Sequence, residues 1–272
     1  MDLVGSSRKR QVAQHWEAEP CGIRGLVSND RADFFRRLEA ERYLFEPHIK
    51  EFAEFGNAVG KRLLEVGVGA GSDYVNWLRG GAQAFGVDLT SAAMQLTREH
   101  ATLEGLTPRL IRTDCELLPF DDCTFDIVYS YGVIHHSPDT SHAVSEIHRV
   151  LRRGGIAKVM IYHTPSITAF LLWTVHCLLK LRPWRSPRWA IANFLESPGT
   201  KAYTTHEARD LFRAFSQVRI RTALGTGDLL QMRPSDKYRN TMARIIWGVY
   251  PRWAIRKMGG RLGLGMLIDA TK

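Results

Sequence analysis

Apolar residues recur near helical spacing from Arg31 to Phe55, at Phe34, Phe35, Leu38, Tyr43, Leu44, Ile49, Phe52 and Phe55. Pro47 falls inside that stretch, where it suits the first turn of a new helix. Residues 1–30 read as loose or helical, punctuated by Pro20, Cys21, Gly22 and Gly25. The period then shortens. Apolar runs of strand length occur at Arg62–Val66, Ala82–Val87, Arg109–Arg112, Phe125–Ser130 and Ile156–Tyr162. Between them, Ser91–Glu104 and Ser141–Leu151 are patterned as helices. Gly105 closes the first, and Arg152, Arg153, Gly154 and Gly155 close the second. This alternation predicts a doubly wound α/β fold, with a mostly parallel sheet and helices on both faces.

After Tyr162 the rhythm breaks. His163–Tyr203 is aromatic, Pro-rich and basic, and holds one apolar helix. Thr205–Phe215 resumes as a helix with Thr205 as its N-cap. Gln217–Thr222 and Gly265–Thr271 read as strands six and seven. The long segment between them has a helical pattern of its own, through Met242, Ile245, Ile246, Val249, Trp253 and Ile255. The predicted organisation is an N-terminal helical extension over residues 1–57 and a sheet domain over residues 58–272. Inserts interrupt that domain at about 163–204 and 223–262.

Composition narrows the class. With 272 residues, 44% hydrophobic and 24% charged, the chain reads as soluble and globular. The formal charge of +9 admits nucleic acid, an anionic membrane surface, an acidic substrate or simply a basic surface. The excess is concentrated in Lys180–Arg188 and Arg233–Arg261. Cys21, Cys115, Cys123 and Cys177 form no CxxC pair, which fits a reducing compartment. No secretory pattern follows the basic N-terminus, and the longest apolar run, Ile167–Leu181, is shorter than the roughly 20 residues of a membrane span. The expected location is cytoplasmic.

The chemistry gathers at the ends of the predicted strands. Leu63–Gly71 (LLEVGVGAG) is a strand running into a Gly-rich turn ahead of a helix, which suits any nucleoside-containing cofactor at the carboxyl end of a parallel sheet. Asp88 closes the next strand, where a carboxylate can accept from both ribose hydroxyls or else cap a helix. Asp114, after strand three, can accept from an adenine amino group or satisfy its own turn. Strand four (FDIVYS) leads through Tyr131, Gly132, Val133 and Ile134 to His135 and His136. The turn is GxGxG, with Ser72 where a dinucleotide fingerprint has its last glycine, so a nicotinamide-dependent oxidoreductase is the remote alternative.

Together LLEVGVGAG, FGVDLT, TDCELLPFDDCTFDIVYSYGVIHH and LRRGGIAKVMIYH resemble the class I S-adenosylmethionine-dependent methyltransferases, in particular the ubiquinone/menaquinone-biosynthesis branch. They occur in that family's order and spacing over roughly residues 60–163. The resemblance implies a seven-stranded Rossmann-like sheet and S-adenosylmethionine as cofactor. It implies that Glu65 helps hold the methionine amino group while Gly67, Gly69 and Gly71 admit the methionine portion. Asp88 would bind the ribose, Leu89 would pack on the adenine, and Asp114 with the Cys115 backbone would meet the adenine edge. Ser130 and Tyr131 would line the methionine end.

The sulfonium is already activated, so the protein mainly aligns the acceptor with the methyl carbon and excludes water. A base helps when the acceptor is a hydroxyl. His135 and His136 are the candidates, with His163 third; either of the pair could instead serve packing. No Asp/His cluster shows ligand spacing, so no metal is expected. Acceptor choice is assigned to the inserts, whose tryptophans (Trp173, Trp184, Trp189, Trp247, Trp253) suit a lid, a membrane contact or a homodimer interface. The expected acceptor is a small molecule, natural product or glycan offering O or N. The alternative is a lipid-linked or quinone-like acceptor at a membrane surface. Nucleic acid is disfavoured: residues 130–133 are Ser-Tyr-Gly-Val, unlike the Asn-Pro-Pro-Tyr-type tetrapeptide of base methylases.

Overall fold

The computed structural model describes residues 7–23, 25–231, 250–257 and 259–272. Three helices precede the sheet: α1 (Ser7–Ala18), α2 (Arg31–Phe45) and α3 (His48–Ala53). The sheet alternates with helices through β1 (Arg62–Val66), α4 (Ser72–Arg79), β2 (Gln83–Asp88), α5 (Ser91–Leu103), β3 (Arg109–Arg112), β4 (Phe125–Tyr131), α6 (Thr140–Val150) and β5 (Leu151–Tyr162). Then come α7 (Ile167–His176), α8 (Pro187–Phe194), α9 (Thr205–Leu211), β6 (Gln217–Ala223), α10 (Arg252–Lys257) and β7 (Gly265–Thr271).

The seven strands form one sheet in the order β3-β2-β1-β4-β5-β7-β6. Neighbours are parallel from β3 to β5, and β7 lies antiparallel between β5 and β6. The doubly wound α/β fold is therefore present. Its central strands are apolar on both faces because both are covered. Leu63 and Leu64 are each fully buried but on opposite sides. Leu64 joins Val128, Ile147 and Phe212 in one core layer. Leu63 joins Tyr74, Trp77 and Tyr129 in the other.

Several boundaries differ from the sequence reading, two of them for a local reason. β5 starts at Leu151 because residues through Gly155 stay extended, and a register shift between Phe125 and Ile127 absorbs the extra chain. α9 is capped by Thr204, not Thr205: its hydroxyl accepts from Glu207 N while the Glu207 carboxylate accepts from Thr204 N. α9 also stops at Leu211, short of Phe215. Of the second insert's helical pattern, Met242, Ile245, Ile246, Trp247 and Val249 lie outside the described residues.

Buried Asp228 ties the two inserts together. Its carboxylate accepts from Thr168 N at 3.0 Å and Thr168 Oγ1 at 2.7 Å in the first insert, and from Gly225 N at 2.9 Å and Leu264 N at 2.7 Å in the second. Both inserts are thus anchored where β5 ends and β7 begins.

Candidate active site

The carboxyl ends of β1, β2 and β4 and the loop after β3 form one rim. Backbone requirements shape its first part. Gly67 has φ +84° and faces Val133, whose side chain an added Cβ would strike. Gly71 has φ +85°, and a Cβ there would lie 2.9 Å from Thr97 Cα in α5. Only glycine meets both conditions.

Glu65 is buried beneath this turn. Burial raises its pKa well above the usual carboxylate value, and nearby Asp73 raises it further. Its Oε2 has no hydrogen-bond partner. A buried acceptor left unmatched is costly, and an ammonium group is a partner of the right charge. The residues present therefore fit the amino end of S-adenosylmethionine.

Asp88 organises the rim. Its Oδ1 accepts from Thr90 N at 2.9 Å and Thr90 Oγ1 at 2.8 Å, and its Oδ2 accepts from Gly69 N at 3.2 Å. The α5 N-cap is Thr90, not Asp88. Three of about four acceptor positions on the carboxylate are in use, so a ribose diol would meet it mainly through Oδ2. Leu89 follows in the same turn. Beyond β3, Asp114 accepts from Glu116 N at 2.9 Å and is ion-paired with Lys9 of α1. Cys115 is half-buried, and desolvation pushes its thiol pKa up.

Lys9 also binds Glu116 at 2.6 Å, and at the other end of α1 the Glu17 carboxylate accepts from Ser91 N and Ala92 N at 2.8 and 3.0 Å. Burial opposes the Lys9 charge, yet Asp114 and Glu116 outweigh it and raise its pKa. Helix α1 therefore spans the rim from the β3 loop to the start of α5. The sequence, which read residues 1–30 as loose or helical, did not place it there.

On β4, the buried Ser130 hydroxyl donates to Val66 O at 3.1 Å, tying two strand ends together. Tyr131 OH lies 2.8 Å from His48 Nε2. Beside them is a network that sequence reasoning missed. The Asp73 carboxylate accepts from Arg42 Nε and Tyr43 OH, each at 2.9 Å, and from Tyr129 OH at 2.8 Å. It joins α2 to the Gly-rich turn.

The two histidines part company. His135 is fully buried against Tyr162, with ring centroids 4.0 Å apart, and neither ring nitrogen has a partner. Burial, then the neighbouring His136, holds its pKa well below the ordinary 6.5, so it is neutral. His136 is held by the first insert. Thr200 Oγ1 gives its hydrogen to Ser197 O at 2.7 Å, and so faces His136 Nδ1 as an acceptor at 3.1 Å. Ser197 Oγ is 2.8 Å from the same nitrogen. Nδ1 thus meets one acceptor and one hydroxyl able to take either role, and Nε2 faces Glu196 Oε2 at 3.3 Å. Tyr162 OH donates to Glu196 at 2.8 Å. Glu196 has φ +60°, a left-handed conformation costing a non-glycine residue about 1–2 kcal/mol. His163 is committed elsewhere, its Nδ1 lying 3.1 Å from Gly263 O.

Ligating atoms of His135, His136 and Glu196 lie within 4.8 Å of one another, the one such group among the described residues. Spacing along the sequence hid it, because Glu196 comes from the insert. Donors around a tetrahedral ion sit roughly 3.3 Å apart, so this looser group suits a proton donor at least as well as an ion.

Residues 64–159 match a family described as "Methyltransferase domain". That stretch, from β1 into β5, is similar to methyltransferase domains. Phthiotriol/phenolphthiotriol dimycocerosates methyltransferase of Mycobacterium tuberculosis is 39% identical over 166 residues, 55% of this chain and 60% of that protein. The chain thus spans under two thirds of that relative's length. Sterol 4-C-methyltransferase of Caenorhabditis elegans is 29% identical over 129 residues, 47% of this chain and 37% of that protein. Among solved structures, geranyl diphosphate C-methyltransferase of Streptomyces coelicolor, in complex with Mg2+, geranyl diphosphate and S-adenosyl-L-homocysteine, superposes with a TM-score of 0.61 at 15% identity, covering 98% of both chains. A chain from the complex of the Haloferax volcanii Trm112 methyltransferase activator with a methyltransferase gives a TM-score of 0.58 at 19% identity, covering 90% of this chain and 98% of that one. These structural likenesses carry the fold. The nicotinamide alternative is not supported.

Proposed function

We propose that the protein transfers a methyl group from S-adenosylmethionine to a hydroxyl oxygen on an apolar, lipid-type acceptor. The observation that carries this reading is the buried imidazole of His136, whose Nε2 lies 3.3 Å from Glu196 Oε2. A hydroxyl beside this pair would meet a proton acceptor with a carboxylate next to it to stabilise the charge. The lipid and sterol names of the relatives favour an apolar acceptor over a glycan, and over the quinone branch that the motifs first brought to mind.

When bound, the cofactor supplies an electrophilic methyl on a sulfonium. Glu65, Gly67, Gly69 and Gly71 would hold its methionine end, with Ser130 and Tyr131 alongside. Asp88 and Leu89 would hold the nucleoside, and Asp114 and the Cys115 backbone would hold the adenine edge. His136 Nε2 would take the hydroxyl's proton as the methyl carbon passes from the sulfonium sulfur to that oxygen, leaving S-adenosylhomocysteine. Glu196 stabilises the resulting imidazolium, and Ser197 and Thr200 keep the ring aimed. His135 packs and stays neutral. The described parts of the inserts, residues 163–204, 223–231, 250–257 and 259–262, would form the acceptor side of a domain over residues 58–272.

The test is transfer from radiolabelled S-adenosylmethionine to long-chain secondary alcohols in detergent, with short alcohols and amines as controls. Labelled ether from the long-chain alcohol alone is the expected result. Label in amines alone would overturn the assignment of oxygen.

A further inference from the structure

We infer that the α7–α8 segment docks the protein on an anionic lipid surface. The inference deepens the lipid-acceptor reading and rests on it. Helix α7 has the sequence ITAFLLWTVH, yet only Thr168 and Ala169 are buried. A helix apolar on nearly every side would normally be enclosed. Here Phe170 and Val175 are exposed. The chain after α7 extends the apolar surface: Leu179, Leu181 and Trp184 are 72%, 82% and 74% exposed.

This tip is a built structure. Arg182 N donates to Cys177 O at 2.8 Å, closing a turn over Leu178–Lys180, and Trp173 Nε1 donates to Arg185 O at 2.6 Å. The large apolar side chains are therefore held outward by hydrogen bonds behind them.

Charge selects the occupant. From Thr164 to Leu195 there is no Asp or Glu, while Lys180, Arg182, Arg185 and Arg188 all lie there. Arg188 is paired with Glu207; Lys180, Arg182 and Arg185 are exposed and form no ion pair among the described residues. Exposed Leu and Trp ringed by basic residues are the pattern of an interfacial anchor on anionic lipid. A second copy seated face to face would oppose like charges. No described helix is long and apolar enough to cross a membrane, so the contact lies along the surface. The same segment continues into Glu196, Ser197 and Thr200, which set His136, so the anchor and the acceptor side of the site are one piece of chain.

The experiment is vesicle flotation of the full chain with phosphatidylcholine alone and with an equal mixture of phosphatidylcholine and phosphatidylglycerol. The wild type is expected to float with the anionic vesicles, less so at high salt. The double variant Leu179→Glu/Trp184→Glu is expected to lose about tenfold or more of that binding, with unchanged circular dichroism and Tm. Equal flotation of wild type and variant, or none by either, overturns docking. So does a dimer in light scattering that the variant abolishes. Detergent assays on long-chain alcohols separate the two readings. Methylation without flotation ends docking and leaves the acceptor class standing. Flotation with no methylated alcohol does the reverse.

Discussion

His136 Nε2 and Glu196 Oε2 face each other at 3.3 Å across the boundary between the common methyltransferase core and the first insert. The ring is fixed from behind by Ser197 and Thr200, so His136 cannot turn away without breaking a buried hydrogen bond. His136→Ala should lower kcat by about 10²–10⁴. Glu196→Gln should lower it by roughly tenfold, since it keeps the shape and loses the charge. Calorimetry with S-adenosylhomocysteine should give wild-type affinity in both. A large loss of cofactor affinity with unchanged kcat would remove the pair from the chemistry.

Asp88 offers a second prediction. Asp88→Ala removes the rim carboxylate and its tie to Gly69, so S-adenosylhomocysteine affinity should fall about 10–100-fold, as expected for lost charge-assisted hydrogen bonds. Asp88→Asn should retain part of the binding. The same calorimetric titration measures both, and wild-type affinity in the alanine variant would contradict the ribose assignment.

Lys9 carries the third prediction. It holds α1 across the rim through Asp114 and Glu116, and Asp114 is the residue assigned to the adenine edge. Lys9→Met should therefore speed both association and dissociation of S-adenosylhomocysteine, by about tenfold for release. Stopped-flow tryptophan fluorescence reads both rates. Unchanged rates would mean that the cofactor enters without α1 moving.

The fourth prediction concerns acid. Burial, then Arg221 and Arg42, presses the His48 pKa down from 6.5 to about 4. The unfolded chain takes up this proton below pH 6.5, whereas the fold resists it until about pH 4. The stability contributed is thus full above 6.5 and lost as pH falls towards 4, by up to about 3 kcal/mol. His48→Gln keeps a partner for Tyr131 without titrating, so its Tm should fall less between pH 7 and pH 4.5. Parallel Tm curves would show that other groups govern the acid loss.

The sheet was legible because its central strands bury both faces and its turns need glycine, and both leave marks within a few residues. Residues 62–162 show that local record. The helical pattern of α2 was legible as well, but the contacts of α1 and α2 were not, because they depend on partners far along the chain: Lys9 with Asp114, Arg42 with Asp73. Glu196 is the clearest case. It is one acid after a long basic segment, and only folding brings it to His136. The histidine pair was visible, but its division into a packed neutral member and one hydrogen-bonded by the first insert depends on contacts that no spacing reveals.

The pairing of Ala223 with Gly265 has a consequence for how such enzymes diversify. It fixes the two ends of the second insert as adjacent points on antiparallel strands. Chain spliced between fixed ends adds closure cost slowly, about 0.6 kcal/mol for each doubling of length. The stretch from 224 to 264 can therefore be exchanged like a cassette while the sheet and its Gly-rich turn stay intact. Chimeras cut at those two residues offer a way to move acceptor preference between relatives without rebuilding the cofactor half.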